Sequence, residues 1–361
     1  MPTSEFWQGK RVFVTGHTGF KGAWTTRWLS QLGATQVGFA LPPSTSPALF
    51  PNLETPRLTS VMGDIREPEA LVQAVQDADP TIAIHMAAQP LVRLSYREPA
   101  ETFATNVMGT LNVLEALRRH GRNLKAVLVV TTDKVYANDN SGHAFVESDR
   151  LGGHDPYSSS KAACEEVVSS YRQSYFDELG VPLATARAGN VIGGGDWSED
   201  RLIPDIWRAL EKGEGVALRN PDSVRPWQHV LDPVSGYLDY VEAMASGRWS
   251  ELPSALNFAP LPDEPMTVRD VTESLGNAMG VRHPWRLADG AQPVEMKLLT
   301  LDASLANRSI GWTPRLTGRQ AVEWTAQWIE ATRGGASMQE AVDAQIERYE
   351  ELSERTQGSQ P

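Results

Sequence analysis

The sequence predicts an α/β fold, a doubly wound parallel sheet with a smaller C-terminal substrate domain. Three observations predict it. Short apolar runs alternate with helical patterns through the first half of the chain. A glycine-rich turn, Gly16-His17-Thr18-Gly19-Phe20-Lys21-Gly22, joins the first run to the first helix. After Arg187 the texture changes to loops rich in Gly, Pro and Trp. Strands that alternate with helices form βαβ units, and their sheet is parallel and covered on both faces.

Arg11-Val-Phe-Val-Thr15 reads as a short buried strand, and Gly16 opens a turn into a helix ending near Gly33. Further strands are expected at Gln36–Ala40, Ser60–Gly63, Thr81–Met86, Ala126–Thr131 and Leu183–Arg187. Helices are expected at Pro68–Gln76, Ala100–Arg119 and Ser158–Leu179. Gly193–Trp197, Asn220-Pro221 and Arg225–His229 are loop-like, with short helices between them, and Leu256–Ala259 is a strand placed to rejoin the large sheet. Thr267–Met279, Thr317–Ala331 and Ser337–Ser353 read as helices, and Glu354–Pro361 as a frayed tail. The expected division is a dinucleotide-binding domain over 1–187 with return segments around 230–260. A substrate domain follows over 188–229 and 261–331, then a C-terminal helix and tail over 332–361.

The 361 residues are 41% hydrophobic and 22% charged, as in an ordinary soluble protein. A net charge of −12 argues against nucleic acid or an anionic membrane as a partner. Met1–Arg11 carries no apolar leader and no apolar run approaches membrane-spanning length, so a cytoplasmic protein is expected. Cys164, the single cysteine, excludes an internal disulfide and reads as a small buried filler. His85, His143, His154 and His229 are scattered without ligand spacing, so no metal site is expected. Glu165-Glu166 and Glu350-Glu351 read as solvated helix faces.

In the turn at 16–22, glycines let backbone amides approach a pyrophosphate, and the helix N-terminus adds partial positive charge. The spacing is G-x-x-G-x-x-G, with a strand before it and a helix after it. His17 and Lys21 are unusual there, and contact with phosphate and simple solvation are both open to them. The end of the second strand, Gly38–Pro43, has neither the acid that marks NAD nor an arginine for a 2′-phosphate. Asp64-Ile65 is placed to meet an adenine, and Ala87-Ala88-Gln89 is small enough for a cofactor to lie across it.

Tyr157 and Lys161 stand four apart, about one helical turn, where an ammonium can lower the phenol's pKa. The phenolate can then take a hydroxyl proton while hydride leaves the same carbon. A surface Tyr/Lys pair meets the same spacing, so the motif gains its meaning from the glycine turn upstream. Thr132-Asp133-Lys134 adds a hydroxyl, a carboxyl and an amine at the end of an apolar run. That is more than a plain dehydrogenase requires, and it points to elimination as well as oxidation.

Together with His85–Gln89, Asn106–Thr110 and Asn190–Gly193, these segments resemble the extended short-chain dehydrogenase/reductase superfamily, in the right order to about Ala331. Within it, Thr15–Gly22, Thr132–Lys134, Gly193–Trp197 and Arg225–His229 make the chain similar to the CDP-glucose 4,6-dehydratases. The resemblance implies a Rossmann-type dinucleotide domain, bound NAD, a CDP-sugar substrate, and Asn106 among the cofactor contacts. It implies Tyr157 as the C4 base, Thr132 on the C4 oxygen, Asp133 as acid for the C6 hydroxyl and Lys134 at the position of the C5 base. Lys134 departs from the glutamate of related dehydratases, and electrostatic stabilisation is its other reading. Asn190, Arg201 and Arg225 are candidates for the diphosphate and nucleotide, since arginine fits phosphate bidentately. Trp197 and Trp227 are open to packing or to base stacking. The helices Ala100–Arg119 and Ser158–Leu179 imply a homodimer or a dimer of dimers. A 4,6-dehydratase or 4-epimerase of another nucleotide sugar is the nearest alternative, and a catalytically silent dinucleotide sensor the more distant one.

Overall fold

The structure, a computed structural model, describes residues 1–261, 266–288 and 299–357, with backbone alone for 353–357. Seven parallel strands form the central sheet: β1 (Arg11–Thr15), β2 (Thr35–Ala40), β3 (Leu58–Met62), β4 (Ile82–His85), β5 (Ala126–Val130), β6 (Leu183–Ala188) and β7 (Ala255–Phe258). Their order across the sheet is β7-β6-β5-β4-β1-β2-β3. The order reverses between β1 and β4, which opens a crevice at the carboxyl ends of those strands.

Alternate residues of each strand serve opposite faces. Val12, Val14, Ile82, Ile84 and Leu128 join one buried cluster, while Phe13, Ala83, Val127 and Val129 join the other. Helices cover both faces: α1 (Phe20–Gln31), α2 (Pro68–Ala78), α3 (Gly109–His120), α4 (Pro156–Tyr171), α5 (Leu202–Glu211), α6 (Leu231–Ala245), α7 (Val268–Ala278), α8 (Gly318–Arg333) and α9 (Met338–Gln357). The expected strands all form, and β7 does rejoin the large sheet beside β6. Among the described residues, three short parallel pairs lie outside it: Val191–Ile192 with Gln228–His229, Val216–Leu218 with Trp285–Leu287, and Ala144–Phe145 with Thr300–Leu301. No helix among the described residues is long and apolar enough to cross a membrane.

Several boundaries differ for identifiable reasons. The helix expected from Ser158 starts at Pro156, because Asp155 caps it by accepting from Ser158 N at 3.0 Å and Pro156 gives up no needed N–H. That helix passes into a π turn at Arg172–Phe176, and the one expected over 100–119 contains a π turn at Ala104–Met108. The π turn holds Asn106, which makes it part of the site described below. The region after Arg187 holds more helix than its loop-like texture suggests. α6 is buried over most of its surface, with only Asp239, Glu242, Ala243 and Ala245 partly exposed. α9 runs to Gln357 rather than stopping at Ser353, and the remainder of the expected tail, 358–361, lies outside the described residues. So do 262–265 and 289–298 of the expected substrate domain.

Candidate active site

The glycine turn closes against β4. Gly16 takes φ +77°, and a Cβ there would lie 2.7 Å from Ala87 N, so only glycine allows this approach. Gly19 is the N-cap of α1 with no side chain on the free amides, and beyond Gly16 O at 3.5 Å its open side meets nothing. Thr18 Oγ1 donates to Leu41 O (2.8 Å), and Phe20 reaches towards Gly193. His17 is not solvated. Its ring is fully buried, hydrogen-bonded through Nε2 to Ser60 Oγ (2.7 Å) and edge-on to Phe50. Burial pushes it down to about 4, which keeps the ring neutral. Lys21 lies 5.8 Å from the Tyr237 ring, pushed down to about 7 by burial and then by Arg201 and Lys161, against an opposing pull from Asp133.

Asp64 forms an ion pair with Arg66 across two residues, and this hydrogen bond holds its carboxyl below the usual range; Ile65 beside it is buried. Ala87 and Ala88 are part-exposed along the crevice. Gln89 and Asn106 are committed elsewhere. Asn106 accepts from Gln89 N (2.8 Å) and donates to Gln89 O (3.1 Å) and Ser160 Oγ (2.8 Å). Gln89 binds Leu91 and Thr102 through its own side chain. With both amide N–H donors occupied, Asn106 holds the turn after β4 against α4 instead of offering a donor to a cofactor. His85, fully buried between Thr15 Oγ1 (2.6 Å) and Thr110 Oγ1 (3.0 Å), is pushed down to about 3 by burial and by Lys161.

At the end of β5 the chain makes one 3₁₀ turn, Asp133–Val135, with Thr132 as its N-cap. Thr132 Oγ1 donates to Asp133 Oδ1 (2.9 Å) and accepts from Lys134 N (3.4 Å). Asp133 is 3% exposed and rests on Gly189, where a Cβ would lie 1.9 Å from Oδ2. Lys134 is only partly buried. On α4, Tyr157 and Lys161 are both buried, and Lys161 Nζ donates to Val130 O (2.9 Å). The expectation that Lys161 depresses the phenol is not met. Burial pushes Tyr157 up to about 12 and Asp133 adds to this, while a hydrogen bond with Thr132 and the charge of Arg201 pull the other way. Lys161's own ammonium is disfavoured by burial, partly offset by Cys164 and Glu165.

The site therefore draws together Lys21, Asp133, Tyr157, Lys161 and Arg201, each within electrostatic reach of another. Arg201, one-third exposed at the head of α5, pairs with Asp196 (3.2 Å). Asn190 adopts a left-handed φ of 51° and its carbonyl accepts from Gln228 N. Arg225 Nη1 donates to its neighbour Val224 O (2.8 Å). Trp227 is buried in the core and Trp197 stands edge-on to Trp328, so both pack. Cys164 is buried as expected, with Sγ on Asn106 O.

Glu165 overturns its reading as a solvated face. It is 5% exposed and paired with Arg187 at 2.9 Å, whereas Glu166 is exposed. Glu350 accepts from Trp28 Nε1 and is half-buried. Sequence reasoning also missed Tyr237, fully buried on α6 with a hydroxyl that has no partner and within reach of Tyr157 and Asp133. A charged Arg187 within an otherwise uncharged strand was the available signal for Glu165. Tyr237 gave none.

Comparison with known proteins adds a second line. The profile of the GDP-mannose 4,6 dehydratase family matches residues 13–325. The chain is 45% identical over 342 residues to CDP-glucose 4,6-dehydratase of Salmonella typhimurium, covering 91% of this chain and 94% of that one. It is 29% identical over 333 residues to dTDP-glucose 4,6-dehydratase of Streptomyces antibioticus, covering 89% and 93%. Among solved structures, a double mutant of dTDP-glucose 4,6-dehydratase from Streptomyces venezuelae, with NAD bound, superposes with a TM-score of 0.75 at 25% identity, covering 90% and 98%. An epimerase from Methanothermobacter thermautotrophicus shares the fold at a TM-score of 0.79 and 22% identity, covering 92% and 96%.

Proposed function

This chain belongs to the GDP-mannose 4,6 dehydratase family, and from that premise we propose that it is an NAD-dependent 4,6-dehydratase of CDP-glucose, giving the 4-keto-6-deoxy sugar. The observation that carries the reading is the carboxyl of Asp133, buried and pinned between Thr132 and Gly189 beside Tyr157. A 4-epimerase needs no acid at C6. Identity of 45% to a CDP-glucose 4,6-dehydratase supports the choice of nucleotide.

The glycine turn fits a dinucleotide: the uncapped amides at the start of α1 and the open side of Gly19 suit a pyrophosphate. NAD, when bound, supplies an acceptor for the C4 hydride and returns that hydride to C6. The remaining work falls to side chains. Tyr157 takes the C4 hydroxyl proton as phenolate, the form that Thr132's hydrogen bond and the charge of Arg201 favour against burial. The resulting ketone acidifies C5–H, and Lys134 takes that proton. Asp133 protonates the C6 oxygen so that it leaves as water, and C5 regains a proton at the end. The proton lost at the C4 oxygen is thus balanced by the one that leaves in water. Arg201 and Arg225, with Asn190, hold the diphosphate and nucleotide.

The protein acts as a homodimer or a dimer of such dimers. Phe103, Met108 and Tyr175 on the helical segments around the π turns, and Leu179 in the turn after the second, are all at least 39% exposed, and a second copy would cover them. A monomer in light scattering at micromolar concentration refutes the assembly. For the activity, incubation with CDP-, dTDP-, GDP- and UDP-glucose is the test. A 4-keto-6-deoxy product from the CDP-sugar is expected, and a 4-epimer or no product contradicts the assignment.

A further inference from the structure

Glu165 lies one turn beyond Lys161 on α4, where its carboxylate accepts four hydrogen bonds. Oε1 takes Thr131 Oγ1 (2.6 Å) and Arg187 Nε (2.9 Å), and Oε2 takes Thr185 Oγ1 (2.8 Å) and Arg187 Nη2 (2.9 Å). Arg187 Nη1 continues to Tyr136 Oη (2.8 Å) and Glu147 O (3.2 Å), and Tyr136 donates to Asn257 Oδ1 (2.7 Å). Both members of the ion pair have side chains only 5% exposed. A buried pair of this kind recovers little more than its desolvation cost, so net stability is a weak account of it.

Its attachment points give a better one. Thr131 immediately precedes Thr132, and Tyr136 stands two residues after Lys134. Glu165 shares its helix with Tyr157 and Lys161. Arg187 stands two residues before Gly189, the surface on which Asp133 rests. One bidentate salt bridge therefore joins the helix of the C4 proton acceptor to the strand ends that carry the C5 and C6 groups. The guanidinium fork and the carboxylate lie in fixed register, and this kind of pair specifies geometry more than it adds energy.

We propose that Glu165 and Arg187 are positioning residues, a buried clamp that sets Asp133 and Lys134 against Tyr157 and Lys161. Oxidation at C4 and elimination at C5 and C6 then act on one sugar without release between them. The proposal rests on the dehydratase reading above. It assigns the clamp no contact with substrate. Weakening the clamp lets the two pairs drift relative to each other, so the first step survives while the second slows. A misplacement of about 1 Å is enough to cost on the order of 10²-fold in rate.

The test compares the wild-type holoenzyme with Glu165→Gln and Arg187→Lys under CDP-glucose turnover. Three quantities are read: kcat against KM, the fraction of enzyme-bound cofactor held reduced at steady state, and CDP-4-keto-glucose released before dehydration, trapped by borohydride. The clamp predicts a kcat lower by roughly 10- to 100-fold, with KM nearly unchanged, a rise in reduced cofactor and released CDP-4-keto-glucose. Arg187→Lys should be milder than Glu165→Gln, because a charge remains for Glu165. Should Glu165→Gln fail to fold, Thr131→Val, which removes the hydroxyl's bonds to Glu165 and to Ala186 O and leaves the ion pair, carries the same test with the same expected rise. Variants that turn over normally, or that lose both steps in proportion with the reduced fraction unchanged, overturn the clamp. A wild type that dehydrates no nucleotide sugar overturns the dehydratase reading itself, a different and separately visible failure.

Discussion

Gly189→Ala should disable elimination by moving one carboxylate. The added methyl would lie 1.9 Å from Asp133 Oδ2 and 2.0 Å from its Cγ. Ordinary van der Waals contact begins near 3.4 Å, so the carboxylate must retreat by about 1.5 Å. Gly189 is not among the glycines with positive φ, so alanine meets no backbone strain and the whole cost falls on the side chain it strikes. Asp133 is also tied to Thr132 at 2.9 Å, and the retreat breaks or bends that bond. A 1 Å misplacement costs about 10²-fold, and complete loss of a general acid about 10²–10⁴-fold; product formation should fall within that range. Tyr157 and Lys161 remain in place, so cofactor reduction on mixing with substrate should persist. The assay is stopped-flow absorbance of the reduced cofactor beside product formation, with a thermal midpoint to confirm folding. Undiminished product formation would refute the assigned role of Asp133. So would a well-folded variant that loses cofactor reduction as severely as product.

Other perturbations separate the remaining parts. Tyr157→Phe removes the proposed acceptor of the C4 proton, so neither reduced cofactor nor product should form; measurable reduction on mixing would show another base. Lys134→Met should block exchange of the C5 hydrogen with deuterated solvent while leaving C4 oxidation; exchange at the wild-type rate removes Lys134 from the base role. Asp232, fully buried with Oδ1 accepting from Arg315 N and Tyr349 Oη, is pushed up to about 6 by burial. Its folded form holds the proton more tightly than the unfolded chain. That contribution is therefore complete below its ordinary value of 3.8 and is lost as pH rises through about 6. Urea titrations should find wild type losing about 2 kcal/mol relative to Asp232→Asn between pH 4 and 7; parallel curves would refute the shift.

Much of this was legible in the sequence because the signals are local. The strand at 126–130 is uniformly apolar and that at 11–15 has an apolar centre, the glycine turn has both flanks, and Tyr157 and Lys161 share a helix face by spacing alone. What stayed hidden depends on contacts far apart in the chain. Glu165 beside exposed Glu166 looks like a solvated face until Arg187 arrives from β6. Asn106 looks like a cofactor ligand until a π turn commits its amide to Gln89 and Ser160. His17 looks like a phosphate or solvent contact until β3 supplies Ser60. In each case tertiary packing, not propensity, decides the residue's role.

The central claim is that one sugar is oxidised at C4, loses water across C5 and C6, and regains the same hydrogen at C6. CDP-glucose carrying deuterium at C4 tests it most directly, with the product examined by NMR and mass spectrometry after turnover in ordinary water. Deuterium is expected at C6 of the 4-keto-6-deoxy sugar, transferred within single molecules when labelled and unlabelled substrates are mixed. Deuterium lost to solvent, scrambled between molecules, or returned to C4 in an epimer would contradict it.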